Sequence, residues 1–62
     1  MVDLPLPATI EDQIACVERE IAMRRRVYPR WVADKRMTER TAHYELDTMR
    51  AVLETLREIK NG

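Results

Sequence analysis

Two blocks of apolar residues with helical spacing, separated by a short aperiodic segment, constrain the fold of this chain more than any other feature. In the first block the spacings alternate between four and three residues, except that Arg24 stands where the next apolar residue is due. The second block keeps the alternation throughout. Such spacing places the apolar side chains on one side of an α-helix. The apolar positions are Ile10, Ile14, Val17, Ile21, Tyr28 and Trp31 in the first block, and Ala42, Leu46, Met49, Leu53 and Leu56 in the second.

Local signals set the limits of the two helices. Thr9 and Thr38 are suitable N-cap residues, because a threonine hydroxyl can accept a hydrogen bond from the first helical turn. Asp12, three residues after Thr9, completes an approximate capping box. The final Gly62 is typical of a helix end. The predicted elements are an extended, proline-containing arm at 1–9, a helix at 10–33, a turn at 34–38 and a second helix at 39–60.

Pro29 falls inside the first apolar block. Its ring removes the backbone donor for the Arg25 carbonyl and presses on the preceding turn, at a cost of roughly 3 kcal/mol. The helix therefore either stops before Pro29 and restarts, or bends there. Because Trp31 stays in phase with the earlier apolar positions, the pattern favours a helix that is kinked at Pro29.

Two helices of similar length joined by a short turn predict an all-α fold, an antiparallel two-helix hairpin. A chain this short buries only about 60% of its unfolded surface, and its one cysteine, Cys16, cannot form an internal disulfide. Self-association is then the remaining source of stability. We therefore expect two hairpins to dimerise into a four-helix bundle. The residues predicted at the dimer interface are Met23, Val27, Val52, Leu56 and Ile59.

The segment 24–36 has an unusual composition. It holds six of the eleven basic residues, the only tryptophan and one of the two tyrosines. Arginine among aromatic residues suits an acidic protein surface, since Arg, Tyr and Trp are enriched at binding hot spots. It also suits nucleic acid, where guanidinium groups contact phosphates and rings stack on bases. The predicted partner-binding residues are Arg25, Arg26, Tyr28, Arg30, Trp31, Lys35 and Arg36.

A third interpretation assigns no binding role to this segment. The aromatic residues would then belong to the core, and Glu18 and Glu20 would neutralise the arginines. Arg24 is a separate case, because it occupies a seam position. A buried arginine requires an acidic partner, and Glu45 of the second helix is the candidate, which would make Arg24 a determinant of helix register.

The sequence lacks the signatures of catalysis and of metal binding. It has no serine and no glycine-rich phosphate loop, and Cys16 and His43 fall at opposite ends of the predicted hairpin. Neither a CxxC nor an HxxxH spacing is present to hold a metal. No segment has the length and hydrophobicity of a membrane span or of a secretion signal. The sequence predicts a cytoplasmic protein that is not an enzyme and has neither cofactor nor membrane contact.

A further pattern combines both predicted helices with the segment YPxWV at 28–32. Its members are Met23, Arg24, Arg26, Val27, Tyr28, Pro29, Trp31, Val32, Met37, Thr38, Ala42, Glu45, Met49, Ala51, Val52, Thr55 and Leu56. This pattern, spread over 10–57, resembles short uncharacterised helical proteins encoded in phages and prophages of proteobacteria. The resemblance implies a small dimeric protein that binds a host protein, as a modulator or inhibitor, in the host cytoplasm. The alternative is a nucleic-acid-binding accessory protein that uses the arginine-rich bend.

Overall fold

The computed structural model describes residues 8–62, which form two α-helices and no strand. Helix α1 comprises Ile10–Ala33 and helix α2 comprises Glu39–Asn61. The predicted all-α class is confirmed. The helix predicted at 39–60 is one residue longer in the structure. Of the arm predicted at 1–9, residues 1–7 lie outside the described part of the chain.

Each helix begins at a threonine cap. The Thr9 hydroxyl accepts from the Asp12 N–H at 3.1 Å, and the Thr9 N–H donates to the Asp12 carboxylate at 3.3 Å, so the two residues form a capping box. The Thr38 hydroxyl accepts from the Thr41 N–H at 3.1 Å and donates to the Thr41 hydroxyl at 3.0 Å. These bonds satisfy donors that a helix start leaves unpaired, and such a cap typically contributes about 1 kcal/mol.

Helix α1 continues through Pro29 to Ala33, so it does not stop and restart at the proline. Pro29 and Arg25 are both exposed. The Arg25 carbonyl lacks its helical donor, because proline has no N–H. The kink at Pro29 stays a prediction.

The turn after α1 is a Schellman motif. The Arg36 N–H donates to the Trp31 carbonyl at 2.9 Å, and the Lys35 N–H donates to the Val32 carbonyl at 3.0 Å. This closure places Lys35 in the left-handed region, with φ at 60°. Glycine is the usual residue there, because a Cβ in this conformation costs roughly 1–2 kcal/mol. A basic side chain is thus held at the bend at the expense of stability.

The two helices pack along one seam. Ile21, Tyr28 and Ala42 are buried, and the other seam residues of both helices are half-buried. No side chain in residues 8–62 is fully buried. Because only two helices pack against each other in this range, the hairpin is a single layer with a thin core.

Two interhelical ion pairs accompany the seam. Glu18 and Arg57 approach to 2.9 Å, and Arg24 and Glu45 to 3.8 Å. Moving forward along α1 from Glu18 to Arg24 corresponds to moving backward along α2 from Arg57 to Glu45, so the helices are antiparallel. The partner that the sequence suggested for Arg24 is confirmed. Partly exposed pairs of this kind contribute little free energy, and we assign them a role in fixing the register.

We predict that Lys35→Gly stabilises the fold by about 0.5–1 kcal/mol. Relief of the left-handed strain exceeds the entropy that glycine adds to the unfolded chain. Thermal unfolding followed by circular dichroism should show a rise in Tm of several degrees, since about 1 kcal/mol corresponds to about 4–8 °C in a domain of this size.

Lys35→Ala is the matched control, because it removes the same charge but keeps the Cβ. We expect Lys35→Ala to lack this gain. Equal Tm values for the two variants would contradict the assignment of strain to Lys35.

Candidate partner-binding site

Three side chains stack at the bend of the hairpin. The ring centroids of Tyr28 and Trp31 are 5.6 Å apart, with an interplanar angle of 37°. The guanidinium carbon of Arg36 lies 5.7 Å from the centroid of the Trp31 ring, within the range of a cation–π contact. Tyr28 is only 6% exposed, whereas Trp31 is half-buried. The sequence included Tyr28 among the partner-binding residues, but in the structure Tyr28 is a core residue that packs beneath Trp31. The side chains that solvent can reach at this stack are Trp31 and Arg36.

Six cations around the bend are exposed and have no ion-pair partner in residues 8–62. These cations are Arg25, Arg26, Arg30, Lys35, Arg36 and Arg40. Glu20 instead binds Arg24 at 2.9 Å, and Glu18 binds Arg57 at 2.9 Å. Glu20 thus neutralises one arginine of the segment 24–36, as the third interpretation expects, whereas Glu18 pairs with an arginine outside the segment and the six exposed cations are left without such a partner. The register of the helices leaves the positive charge at the bend uncompensated by these two acids.

Helical spacing divides these cations between two surfaces. Arg26 and Arg30 lie on the side of α1 that faces away from α2, since they are about 140° and 180° round the helix from buried Ile21. Lys35 and Arg36 lie in the turn that follows α1. We define the basic tip as the exposed cations at this end of the hairpin, without Arg25, together with half-buried Trp31. Its members are Arg26, Arg30, Trp31, Lys35, Arg36 and Arg40.

Arg25 is separated from the basic tip. It lines an open groove of about 480 Å³ between the helices, on the face opposite the Arg24–Glu45 pair. Charges of both signs border the groove, among them Arg50 and Asp47, whose side chains approach to 3.4 Å. The groove therefore has no excess of one sign of charge, whereas seven basic residues outnumber two acidic ones in residues 24–40.

The pKa of Arg24 is raised above its ordinary value. The main cause is the hydrogen bond that its Nε donates to Glu20 at 2.9 Å, which outweighs the opposing effect of desolvation. A raised pKa means that the folded chain holds this proton more tightly than the unfolded chain does. The resulting stabilisation is complete below the ordinary pKa of arginine and is lost only as pH rises through the raised value. Arg24 therefore stays charged around neutral pH.

The residues considered for catalysis are held apart. Cys16 lies in the first half of α1 and His43 in the second turn of α2. The registers of the two ion pairs place His43 opposite residues 26 to 32 of α1, which is about 15–24 Å from Cys16 along the hairpin. Across residues 8–62, no three His, Cys, Asp or Glu side chains gather in a way that could hold a metal ion. In the same range, neither helix is long and apolar enough to span a bilayer.

One exposed aromatic residue was missed by the sequence reasoning. Tyr44 is 68% exposed, and it lies on α2 with two other exposed hydrophobic residues, Val52 at 41% and Ile59 at 62%. The last two belong to the predicted dimer interface; the other three members of that set, Met23, Val27 and Leu56, are half-buried. Tyr44 could have been found from its spacing, because it precedes Val52 by eight residues and so lies near the same side of the helix.

Comparison of the chain with protein-family models, with curated proteins and with solved structures gives no match. The resemblance to phage and prophage proteins therefore stays a prediction.

We predict that Arg36→Gln changes the fluorescence of Trp31, the only tryptophan, because it removes the cation above the ring. The free energy of unfolding should fall by less than about 1 kcal/mol, the range of a cation–π contact at an exposed site. Arg40→Gln is the matched control, since it removes another exposed cation of the tip without touching the ring. Identical emission spectra in both variants would argue against the stack.

Proposed function

We propose that this chain is a small non-enzymatic interaction protein that binds an acidic surface of a host protein through the basic tip. The observation that carries the proposal is the set of exposed tip cations without ion-pair partners in residues 8–62, one of which, Arg36, stacks on Trp31. The phage-type role of modulator or inhibitor rests on the resemblance to phage and prophage proteins.

A rigid anchor favours a protein partner. Arg36 and Trp31 already contact each other in the unbound chain, and buried Tyr28 supports the indole ring. Binding therefore has to order fewer side-chain rotamers, each of which costs about 0.5–1.5 kcal/mol when it becomes fixed at an interface. Tryptophan and arginine are also the side chains most enriched at hot spots. An acidic partner would supply the negative charge that Glu18 and Glu20 do not.

The strained backbone at Lys35 also supports a role for the tip. A left-handed lysine is destabilising where glycine would fit, and sparsely populated backbone conformations cluster at functional sites. Retaining a cation at this position, next to Arg36, is useful if the charge is needed for binding. At position 35, glycine would favour the stability of the fold, whereas lysine would favour binding of an acidic partner.

Nucleic acid is the second candidate partner, because unpaired arginines also suit phosphates. Glu11 and Asp12 at the start of α1 would repel a backbone that ran the length of the hairpin. Contact would therefore be confined to the tip and to about three or four phosphates, a small number beside the six to ten of a typical site. For this reason we rank an acidic protein surface first.

We also propose that two hairpins associate into a four-helix bundle. Within residues 8–62 no side chain is fully buried, and Tyr44, Val52 and Ile59 are 68%, 41% and 62% exposed. A chain this short has too small a core to be very stable alone. A second layer of helices is one way to cover these exposed apolar side chains.

Capture of a partner from host lysate, read by mass spectrometry, tests the role of the tip. We expect the double variant Arg30→Gln/Arg36→Gln to lose at least about tenfold in partner affinity, as removal of hot-spot arginines should. The double variant Arg19→Gln/Lys60→Gln is the control, because it makes the same change in charge outside the tip. Helicity should be unchanged in both. Equal losses would indicate that overall charge, and not the tip, is responsible.

Fluorescence anisotropy with labelled duplex and single-stranded oligonucleotides tests the second candidate. We expect no binding at tens of micromolar protein in 50 mM salt. If the tip does contact phosphates, log K should fall with log salt by about 0.9 per contact on duplex DNA. Arg36→Gln should then reduce the slope by about one contact. Submicromolar binding with such a slope would replace the protein-binding proposal.

A further inference from the structure

Helix α2 carries an exposed stripe without charge. Its members follow each other at spacings of four, four, three and four residues, so that they share one side of the helix over about 22 Å. Nine of the residues of α2 are acidic or basic, and none of them falls in the stripe. We call this surface the α2 stripe. Its members are Tyr44, Thr48, Val52, Thr55 and Ile59, all of them exposed.

The polar atom of one stripe residue is already satisfied within the helix. The Thr48 hydroxyl donates to the Tyr44 carbonyl at 2.7 Å. A threonine bonded back to its own helix does not need water for its donor. The stripe can therefore lose its solvent at this position without leaving that hydroxyl unpaired. This property suits a dry packing surface better than a solvated one.

We infer that a second copy of this chain covers the α2 stripe, with the two α2 helices antiparallel and related by a two-fold axis at Val52. The inference rests on the self-association proposed above and specifies its geometry. In this arrangement Val52 packs on Val52 of the second copy. Thr48 meets the other chain's Thr55, and Tyr44 meets its Ile59.

The spacing of the stripe is what selects an identical partner. Thr48 and Thr55 lie four and three residues from Val52, and Tyr44 and Ile59 lie eight and seven residues from it. The stripe is therefore nearly the same when read in either direction. A two-fold interface requires a self-complementary patch of this kind. In the two-fold arrangement the small side chains, Thr48 and Thr55, face each other, and the large ones, Tyr44 and Ile59, face each other. Both pairs can be accommodated at the same distance between the two helices.

Charge decides between the antiparallel and the parallel arrangement. A parallel pair would bring two basic tips side by side, with Lys35, Arg36 and Arg40 of each chain uncompensated in residues 8–62. Like charges placed close together oppose association. The antiparallel pair instead moves each tip towards the other chain's terminal end, where Glu11 and Asp12 occupy the first turn of α1. Because salt screens this attraction between the two chains, the affinity of the antiparallel dimer should fall as salt is added.

The arrangement has a consequence for the proposed function. The first residues of α2 lie about 20 Å along the axis from Val52, so the two basic tips of the dimer are separated by about 40 Å and point to opposite ends. One dimer could then engage two acidic surfaces at once. Such divalent binding raises the apparent affinity where both sites can be reached.

The first experiment measures mass by light scattering of the full chain over micromolar to millimolar concentrations. We expect the wild type to give twice its 7.4 kDa monomer mass. Ile59→Asp should shift the protein to monomer, because it places a charge in the stripe. Asn61→Asp adds the same charge two residues away, outside the stripe, and should leave the dimer intact. A wild type that stays at 7.4 kDa throughout overturns both self-association and the α2 arrangement.

The second experiment tests the arrangement separately, in a Cys16→Ala background that removes the native thiol. Tyr44→Cys and Ile59→Cys chains carrying different affinity tags are mixed at a concentration that gives the dimer mass, and then mildly oxidised. We expect mixed disulfides between the two chains, because only the antiparallel pair brings these positions together. Val52→Cys, on the two-fold axis, should cross-link with itself and confirms that the stripe is the interface.

Other cross-linking results would contradict the inference. If Tyr44→Cys chains cross-link mainly with one another, the helices are parallel. If the mass is dimeric but none of the three cysteines cross-links, the interface lies elsewhere on the hairpin. In both cases the self-association proposed from the exposed surface stands, and the antiparallel α2 contact is overturned.

Discussion

A pair of helices shares only one seam, and most other properties of this hairpin follow from that limit. Ile21, Tyr28 and Ala42 are buried at the seam, but no side chain in residues 8–62 is fully enclosed. Hydrophobic burial is roughly proportional to the area removed from water, so a thin core leaves the hairpin dependent on helix caps, on a defined register and on surfaces outside the seam. The same limit leaves much apolar area available for contact with another chain.

The helix register links the fold to the proposed binding site. In residues 8–62, Glu20 pairs with Arg24 and Glu18 with Arg57, so neither acid is paired with the exposed cations of the tip. These ion pairs are partly exposed and contribute little to stability. Their larger effect is on the distribution of charge, because they leave Arg36 and its neighbours at the bend as a concentrated positive surface. The ion pairs thus have two effects: they fix the helix register, and they leave the tip cations available to an acidic partner.

The two ends of the connecting segment differ in how well their residues suit the backbone. Thr38 fits its role as an N-cap, and its hydroxyl bonds the first turn of α2. Lys35 does not fit, since it adopts a left-handed conformation that glycine would occupy without strain. Natural sequences are locally consistent apart from a few positions, and those exceptions are expected at functional sites. The misfit at Lys35 lies beside the Trp31–Arg36 stack, where we place the partner contact.

The sequence by itself determined the elements of this protein, because apolar spacing, Thr9, Thr38 and the short segment between the blocks are local signals that specify helices and a turn. It also indicated Arg24 and Glu45 as partners. Only the tertiary structure decided that Tyr28 is core while Trp31 carries Arg36 on its face, since burial depends on where the second helix lies. It also decided which acids are already paired and which side chains the single layer leaves exposed. Those outcomes depend on distances between residues far apart in the chain, which no local pattern specifies.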